Sequence, residues 1–270
     1  MPFAALALRT LTLLLLATTT PTDGFFESGG ARLSYTIDHP AGSGTHPAVV
    51  LVHEGGQVTR DQQRVMAAAL VQRGFVVLRF DKRGTGQSGG RFEEVSPENS
   101  VRQIGVLAAD VVAAVNTLKS DSAVNASKIG LVGISQAGWV MPLAASQSPD
   151  VKFVAAVVGP TVPVGPLYDY AGRAGDASKT SAELSTAFAA FTGTIGFDPL
   201  PSLQRLTIPM LYQMAANDRV VPHTESLAVL NALVKNGKAI TTKTYPGGHE
   251  MRQTTIYLND LLAWLDAHTR

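Results

Sequence analysis

The 270-residue chain contains no cysteine, which excludes disulfides, a thiol nucleophile and lipid attachment through an N-terminal cysteine. Its stability must come from the core alone. It also lacks an excess of charge of either sign: 22 Lys and Arg against 21 Asp and Glu leave a net charge of +1. No run of Lys or Arg forms a basic stripe, so neither nucleic acid nor an acidic surface is an expected partner. Internal repeats and low-complexity tracts are missing as well. With 16% charged and 45% hydrophobic residues, the chain can bury one large core, and its length suits a single α/β domain.

Residues 1–20 read as a signal peptide. Arg9 supplies the positive charge, residues 11–17 the apolar stretch, and small residues follow where cleavage would occur. The stretch is too short to span a bilayer stably. The expected mature protein, residues 21–270, is therefore secreted or periplasmic, with no stable membrane span.

Downstream, continuous apolar runs near residues 47–52, 75–80, 129–134, 153–158 and 209–214 alternate with helical patterns. Residues 32–37 read as an edge strand and 239–245 as the last strand. Helices are expected over 62–73, with Val65, Ala69 and Leu70 inward, from Ser96 and Pro97 to Leu118, over 223–236 and over 253–268. Strands apolar throughout and separated by helices imply a mainly parallel sheet covered on both faces. Residues 159–207 break this alternation with several prolines and one helical stretch near 182–191. This segment is expected to form a lid, with Tyr168, Tyr170, Phe188, Phe191 and Phe197 as candidates to line an acyl pocket.

The chemistry centres on Gly133, Ile134, Ser135, Gln136 and Ala137, where a buried strand ends and an apolar helical pattern begins. A serine hydroxyl is a poor nucleophile unless a base takes its proton and donors meet the oxyanion, so it must be presented at an exposed, strained turn. The pattern is G-x-S-x-G with Ala137 in the fifth place and Gly138 after it. Residues 86–90 fit G-x-S-x-G without departure, yet no helix opens behind them, so Ser88 is not the expected nucleophile. The same context excludes a dinucleotide fingerprint at residues 84–89.

Asp218 and His249 fall in loops just past strand ends, the edge where sites assemble in open α/β sheets. His249 would take the proton of Ser135, and Asp218 would fix the imidazole. The backbone N–H groups of Gln136 and Gly55 are the expected oxyanion donors. His53 and Glu54 lie in the loop that carries Gly55 and are possible site-lining residues; His53 is expected to hold that loop by hydrogen bonds. Asp198, in the insertion, is the weaker rival to Asp218. His39, His46, His223 and His268 read as surface residues.

These motifs together resemble the α/β-hydrolase superfamily from about Arg32 to the end. The likeness rests on the elbow at Ser135, on Asp81, Arg83, Gly84, Gly86 and Ser88 as a D-x-R-G-x-G-x-S turn, on residues 217–222 around the acid, and on Gly248 with His249. The resemblance implies an α/β-hydrolase fold, a mostly parallel central sheet flanked by helices with a small lid insertion. It implies a serine hydrolase working through an acyl-enzyme, and a bracing role for Asp81 and Arg83. The chain looks most like secreted bacterial esterases related to the dienelactone hydrolase and prolyl oligopeptidase branches. Glu54 matches a glutamate of dienelactone hydrolases, whose cysteine nucleophile is missing here. The expected activity is a carboxylic-ester hydrolase acting on a small-molecule ester with neither metal nor cofactor. Rivals are a peptidase of the prolyl oligopeptidase type, ranked lower because such enzymes usually carry an N-terminal propeller, a cofactor-free perhydrolase or haloperoxidase, and a non-catalytic binding protein on the same fold.

Overall fold

The computed structural model describes residues 21–270, so the expected signal peptide lies outside the described residues. Strands β1 (Thr22–Ser28) and β2 (Ala31–Asp38) pair antiparallel. Then come β3 (His46–Val52), α1 (Arg64–Gln72), β4 (Val76–Phe80), α2 (Ser100–Lys119) and β5 (Val124–Ile134). Helix α3 (Ala137–Gln147) leads to β6 (Val151–Val157), and α4 (Val164–Ala174), α5 (Ser181–Ala189) and α6 (Leu200–Arg205) fill the segment before the next strand. Strand β7 (Met210–Ala215), α7 (His223–Lys235), β8 (Ile240–Tyr245) and α8 (Leu258–Thr269) complete the chain.

The eight strands form one sheet in the order β1-β2-β4-β3-β5-β6-β7-β8. Only the pairs made by β2 are antiparallel; β4, β3 and every later strand run parallel. This is the fold of an α/β hydrolase. Alternate residues of each central strand feed opposite faces, as a period of two requires. Val49, Leu51 and Val132 pack with α1 and α8, while Val50, Val52 and Leu131 pack with α2 and α3. Helix α2 is long and apolar enough to cross a membrane, but Ile104, Ala108, Val111, Val115 and Leu118 bury one side of it in the core.

Several boundaries depart from the sequence expectations, each for a local reason. Strand β2 is not an edge, because β1, half exposed and rich in polar residues, pairs outside it. In α1 the inward residues are Ala67 and Leu70, and Val65 is 75% exposed. Helix α2 begins at Ser100 rather than after Ser96, because the Ser96 N–H donates to the Asn99 side chain and closes a turn first. Helix α4 was hidden by Pro163 and Pro166. Both sit where a helix tolerates proline, at the cap and in the first turn, since those N–H groups have no intrahelical partner. The last helix starts at Leu258, after a short 3-10 turn at His249–Gln253, which leaves Ile256 outside it and exposed.

Candidate active site

The parallel register decides which loops meet. Val52 is paired with Gly133, so the loop after β3, which carries Gly55, emerges beside the turn that carries Ser135. Ala215 is paired with Tyr245, and the Asn217 N–H donates to the Gly247 carbonyl (2.9 Å), fixing the Asp218 loop to the His249 loop.

The turn after β5 places Ser135 at φ +52°, in the left-handed region that non-glycine residues seldom adopt. Its N–H donates to the Val157 carbonyl (2.9 Å) and its carbonyl accepts from Gly138 (2.8 Å), so the turn is held from both sides. A Cβ on Gly133 would come within 2.4 Å of the Ala137 Cβ, so the first small residue of the motif is required. A Cβ on Gly138 would lie 2.7 Å from the backbone of Gly159 and Pro160, which explains why glycine occupies the sixth place.

His249 Nε2 lies 3.0 Å from Ser135 Oγ, and His249 Nδ1 lies 2.8 Å from Asp218 Oδ2. A carboxylate only accepts, so Nδ1 carries the ring hydrogen. The neutral imidazole then presents its lone pair at Nε2, to which the Ser135 hydroxyl donates. Asp218 is buried, and its other oxygen accepts from the N–H groups of Val220 (2.8 Å) and Val221 (2.9 Å). All of this orients the carboxylate before any substrate arrives. Asp198, the rival acid, instead accepts from the Leu200 N–H at the start of α6.

Among the described residues the N–H groups of Gly55 and Gln136 donate to no protein acceptor. Both residues line one cavity of about 250 Å³ with Ser135; Trp139, Leu167, Tyr168, Val220 and Val221 form apolar walls, and Glu94 is a charged residue in its lining. Of the aromatic residues proposed for this lining, Tyr168 alone reaches it, stacked on Trp139 at 6.5 Å between ring centroids. Tyr170 donates to the Asp218 carbonyl (3.0 Å), Phe197 is in the core, Phe188 packs against α4, and Phe191 lines a separate surface cleft. A larger cavity of about 310 Å³ between α1 and α8 reaches Ile134 on the other side of the sheet but not Ser135.

His53 does not line the Ser135 cavity. It is buried, its Nε2–H donates to the Phe80 carbonyl (2.6 Å), and burial lowers its pKa to about 3, so the ring stays neutral. Its bond ties the end of β3 to the end of β4. Glu54 bonds Arg252 (2.8 Å), whose guanidinium also donates to the His249 carbonyl (3.2 Å). That pair links the Gly55 loop to the His249 loop across 198 positions of sequence. Arg219, next to Asp218, donates to the carbonyls of Ala174 (2.8 Å) and Asp176 (2.9 Å) and so anchors the link between α4 and α5. His39 pairs with Asp121 (2.8 Å), whereas His268 is exposed as expected and stacks on Trp264.

Asp81 accepts from the Arg60 N–H (2.8 Å) and guanidinium (2.9 Å) and from the Gln87 N–H (2.8 Å), while Arg83 pairs with Asp110. Ser88, the serine of the undeparted motif, is buried. Its hydroxyl donates to the Asp81 carbonyl (2.6 Å) and accepts from the Ser34 N–H (2.9 Å).

The sequence profile of the prolyl oligopeptidase family matches residues 62–270, which is most of the chain and holds Ser135, Asp218 and His249. The chain belongs to the prolyl oligopeptidase family. A curated relative, acylamino-acid-releasing enzyme 2 of Oryza sativa subsp. japonica, is 24% identical over 274 residues, covering 97% of this chain and 35% of that one. Across four of the curated relatives it matches, the chain spans between 23% and 41% of their length. Among solved structures, an esterase of Pyrococcus furiosus superposes with a TM-score of 0.70 at 18% identity, over 94% of this chain and 93% of that one. An acylaminoacyl peptidase of Pyrococcus horikoshii gives 0.68 at 18% identity, over 94% and 42%. The family match and these esterase and peptidase neighbours support a serine hydrolase.

Proposed function

We propose that the protein is a carboxylic-ester hydrolase that works through an acyl-enzyme on Ser135. The observation that carries this reading is the strained Ser135, bonded to His249 Nε2 at 3.0 Å and opening into a mainly apolar cavity of about 250 Å³. In the first half-reaction Ser135 Oγ attacks the ester carbonyl carbon while its proton passes to His249 Nε2, and Asp218 stabilises the imidazolium. The carbonyl oxygen, now an anion, accepts from the N–H groups of Gln136 and Gly55. Collapse breaks the bond to the alcohol oxygen, which leaves with the proton from His249. Water then attacks the acyl carbon, His249 takes its proton, and collapse breaks the acyl bond to Ser135 Oγ, which receives that proton from His249 as the carboxylic acid departs. Trp139, Leu167 and Tyr168 would hold the acyl chain. The substrate would be a small-molecule ester and the site of action outside the cytoplasm, supported by the leader-like residues 1–20.

The family match favours a second reading, a blocked peptide as substrate. One experiment separates the two: fluorophosphonate labelling with mass spectrometry, beside p-nitrophenyl acyl esters of increasing length and acylaminoacyl p-nitroanilides. An adduct on Ser135 with ester turnover is expected. Faster anilide than ester turnover would assign the protein to peptides, and no adduct would remove the nucleophile.

A further inference from the structure

Among the described residues the mechanism leaves two buried cations unused: Arg79, which pairs with Asp38, and Lys82, which bonds to no carboxylate. Lys82 follows Asp81 in the loop after β4 and is 4% exposed. Its Nζ lies 2.9 Å from the Glu54 carbonyl, 3.0 Å from the Gly56 carbonyl and 2.8 Å from Gln136 Oε1. An ammonium has three N–H donors and no acceptor, so these three partners use it fully. Burying a cation against neutral oxygens with no carboxylate bonded to it is costly. A methionine would fill the same space without that cost.

The three acceptors share a location. Two of them flank Gly55, and the third belongs to Gln136. The Glu54–Gly55 peptide is trans, so its carbonyl and its N–H point in opposite directions. With the carbonyl held on Lys82, the Gly55 N–H is turned away from the ammonium. We propose that Lys82 is the positioning residue of the oxyanion hole, a single ammonium that clamps the Gly55 loop to Gln136 and fixes the two donor N–H groups relative to each other. This inference rests on the acyl-enzyme reading and assigns the hole its support.

The clamp needs the charged form. A neutral amine has two donors and a lone pair, and the lone pair would face a carbonyl oxygen. Burial lowers the Lys82 pKa to about 8, against the opposing pull of Glu94, before α2, and Glu54, after β3. His53, at the end of β3, stays neutral beside it, and Asp110 on α2 is taken up by Arg83. The charged clamp is therefore present below about pH 8 and lost above it.

The test compares the wild type with Lys82→Met, with fluorophosphonate labelling of wild-type Ser135 as the control on the acyl-enzyme itself. Lys82→Met should lose about 10- to 100-fold in kcat at little-changed KM, somewhat less than the 10²–10³ lost on deleting a donor outright. Wild-type kcat should fall above about pH 8, and the variant's profile should be flat there. A folded Lys82→Met with wild-type kcat and the wild-type alkaline limb overturns the clamp while the labelled serine keeps the acyl-enzyme. A wild type that neither labels nor turns over removes the acyl-enzyme, and with it any oxyanion for Lys82 to serve. If Lys82→Met does not fold, the wild-type profile decides: a level kcat from about pH 7 to about pH 10 overturns the proposal.

Discussion

The chain contains two turns that follow nearly the same five-residue pattern, and they treat their serines in opposite ways. At residues 86–90 the outer glycines take the positive backbone angles, with φ +57° at Gly86 and +83° at Gly90. Ser88 is left unstrained and buried, with both hydrogen-bonding functions of its hydroxyl satisfied by backbone. At residues 133–137 the serine itself takes the strain, at φ +52°, and its hydroxyl meets the imidazole of His249. Val158, the residue after β6, is the other non-glycine residue at positive φ among the described residues, and its N–H donates to the Gln213 carbonyl (2.7 Å). Backbone strain of this kind costs on the order of 1–3 kcal/mol per residue and persists where the surroundings impose it. A five-residue pattern therefore does not identify a nucleophile. The element behind the serine does, because a helix start leaves donors free and a loop does not.

The sharpest way to break this contrast is to delete each hydroxyl in turn. Ser135→Ala should lower kcat by about 10⁶ with the fold intact, read from p-nitrophenyl ester turnover and circular dichroism. Ser88→Ala should keep kcat within a few-fold. The loss there appears as stability, about 1–3 kcal/mol by urea denaturation, because the buried Ser34 N–H loses its acceptor. Activity loss in Ser88→Ala at unchanged stability would mean that the two turns had been assigned the wrong way round. Asp218→Asn asks whether the base is oriented as the geometry requires. An amide would offer a donor or a weaker acceptor to His249 Nδ1, and kcat should fall by about 10⁴ with the substrate pocket unchanged.

The backbone behind the elbow should respond more mildly. Gly138→Ala places a methyl group about 2.7 Å from Gly159 and Pro160, and neither wall is a flexible side chain. Overpacking of that kind costs about 1–3 kcal/mol, and the urea midpoint should drop accordingly. An unchanged midpoint would show that the β6–α4 connection moves aside.

The sequence made the strand ends readable, because buried parallel strands are continuous apolar runs and the loops after them hold Ser135, Asp218 and His249. Less legible were features whose partners are distant or are backbone. Glu54 finds Arg252 only after the sheet has brought β3 beside β5 and the last loop over both. Lys82 binds two carbonyl oxygens, and a carbonyl belongs to every residue, so no spacing of residue types announces it. Strand β1 exposes Phe25 and buries Phe26 and Ser28, so no apolar alternation announces it, and α4 is masked by prolines that are harmless in a first turn. The aromatic residues of the segment between β6 and β7 were visible, but which of them turns toward Ser135 depends on the rotation of α4, a tertiary matter.

The smallest predicted effect concerns the departure in the motif itself. Ala137 is fully buried at the first position of α3, and its methyl group fills the space beside Gly133. Ala137→Gly would restore G-x-S-x-G and remove that methyl. Glycine costs more backbone entropy than alanine in a helix and leaves a small void, so stability should fall by about 1 kcal/mol. The elbow requires only that this residue be small, and alanine meets that requirement while supporting the helix start. Turnover in Ala137→Gly should therefore equal the wild type's in a side-by-side ester assay. A rise in kcat would instead mean that the methyl group strains the elbow in the natural chain, and that Gly138 compensates for alanine rather than accommodating the β6–α4 connection.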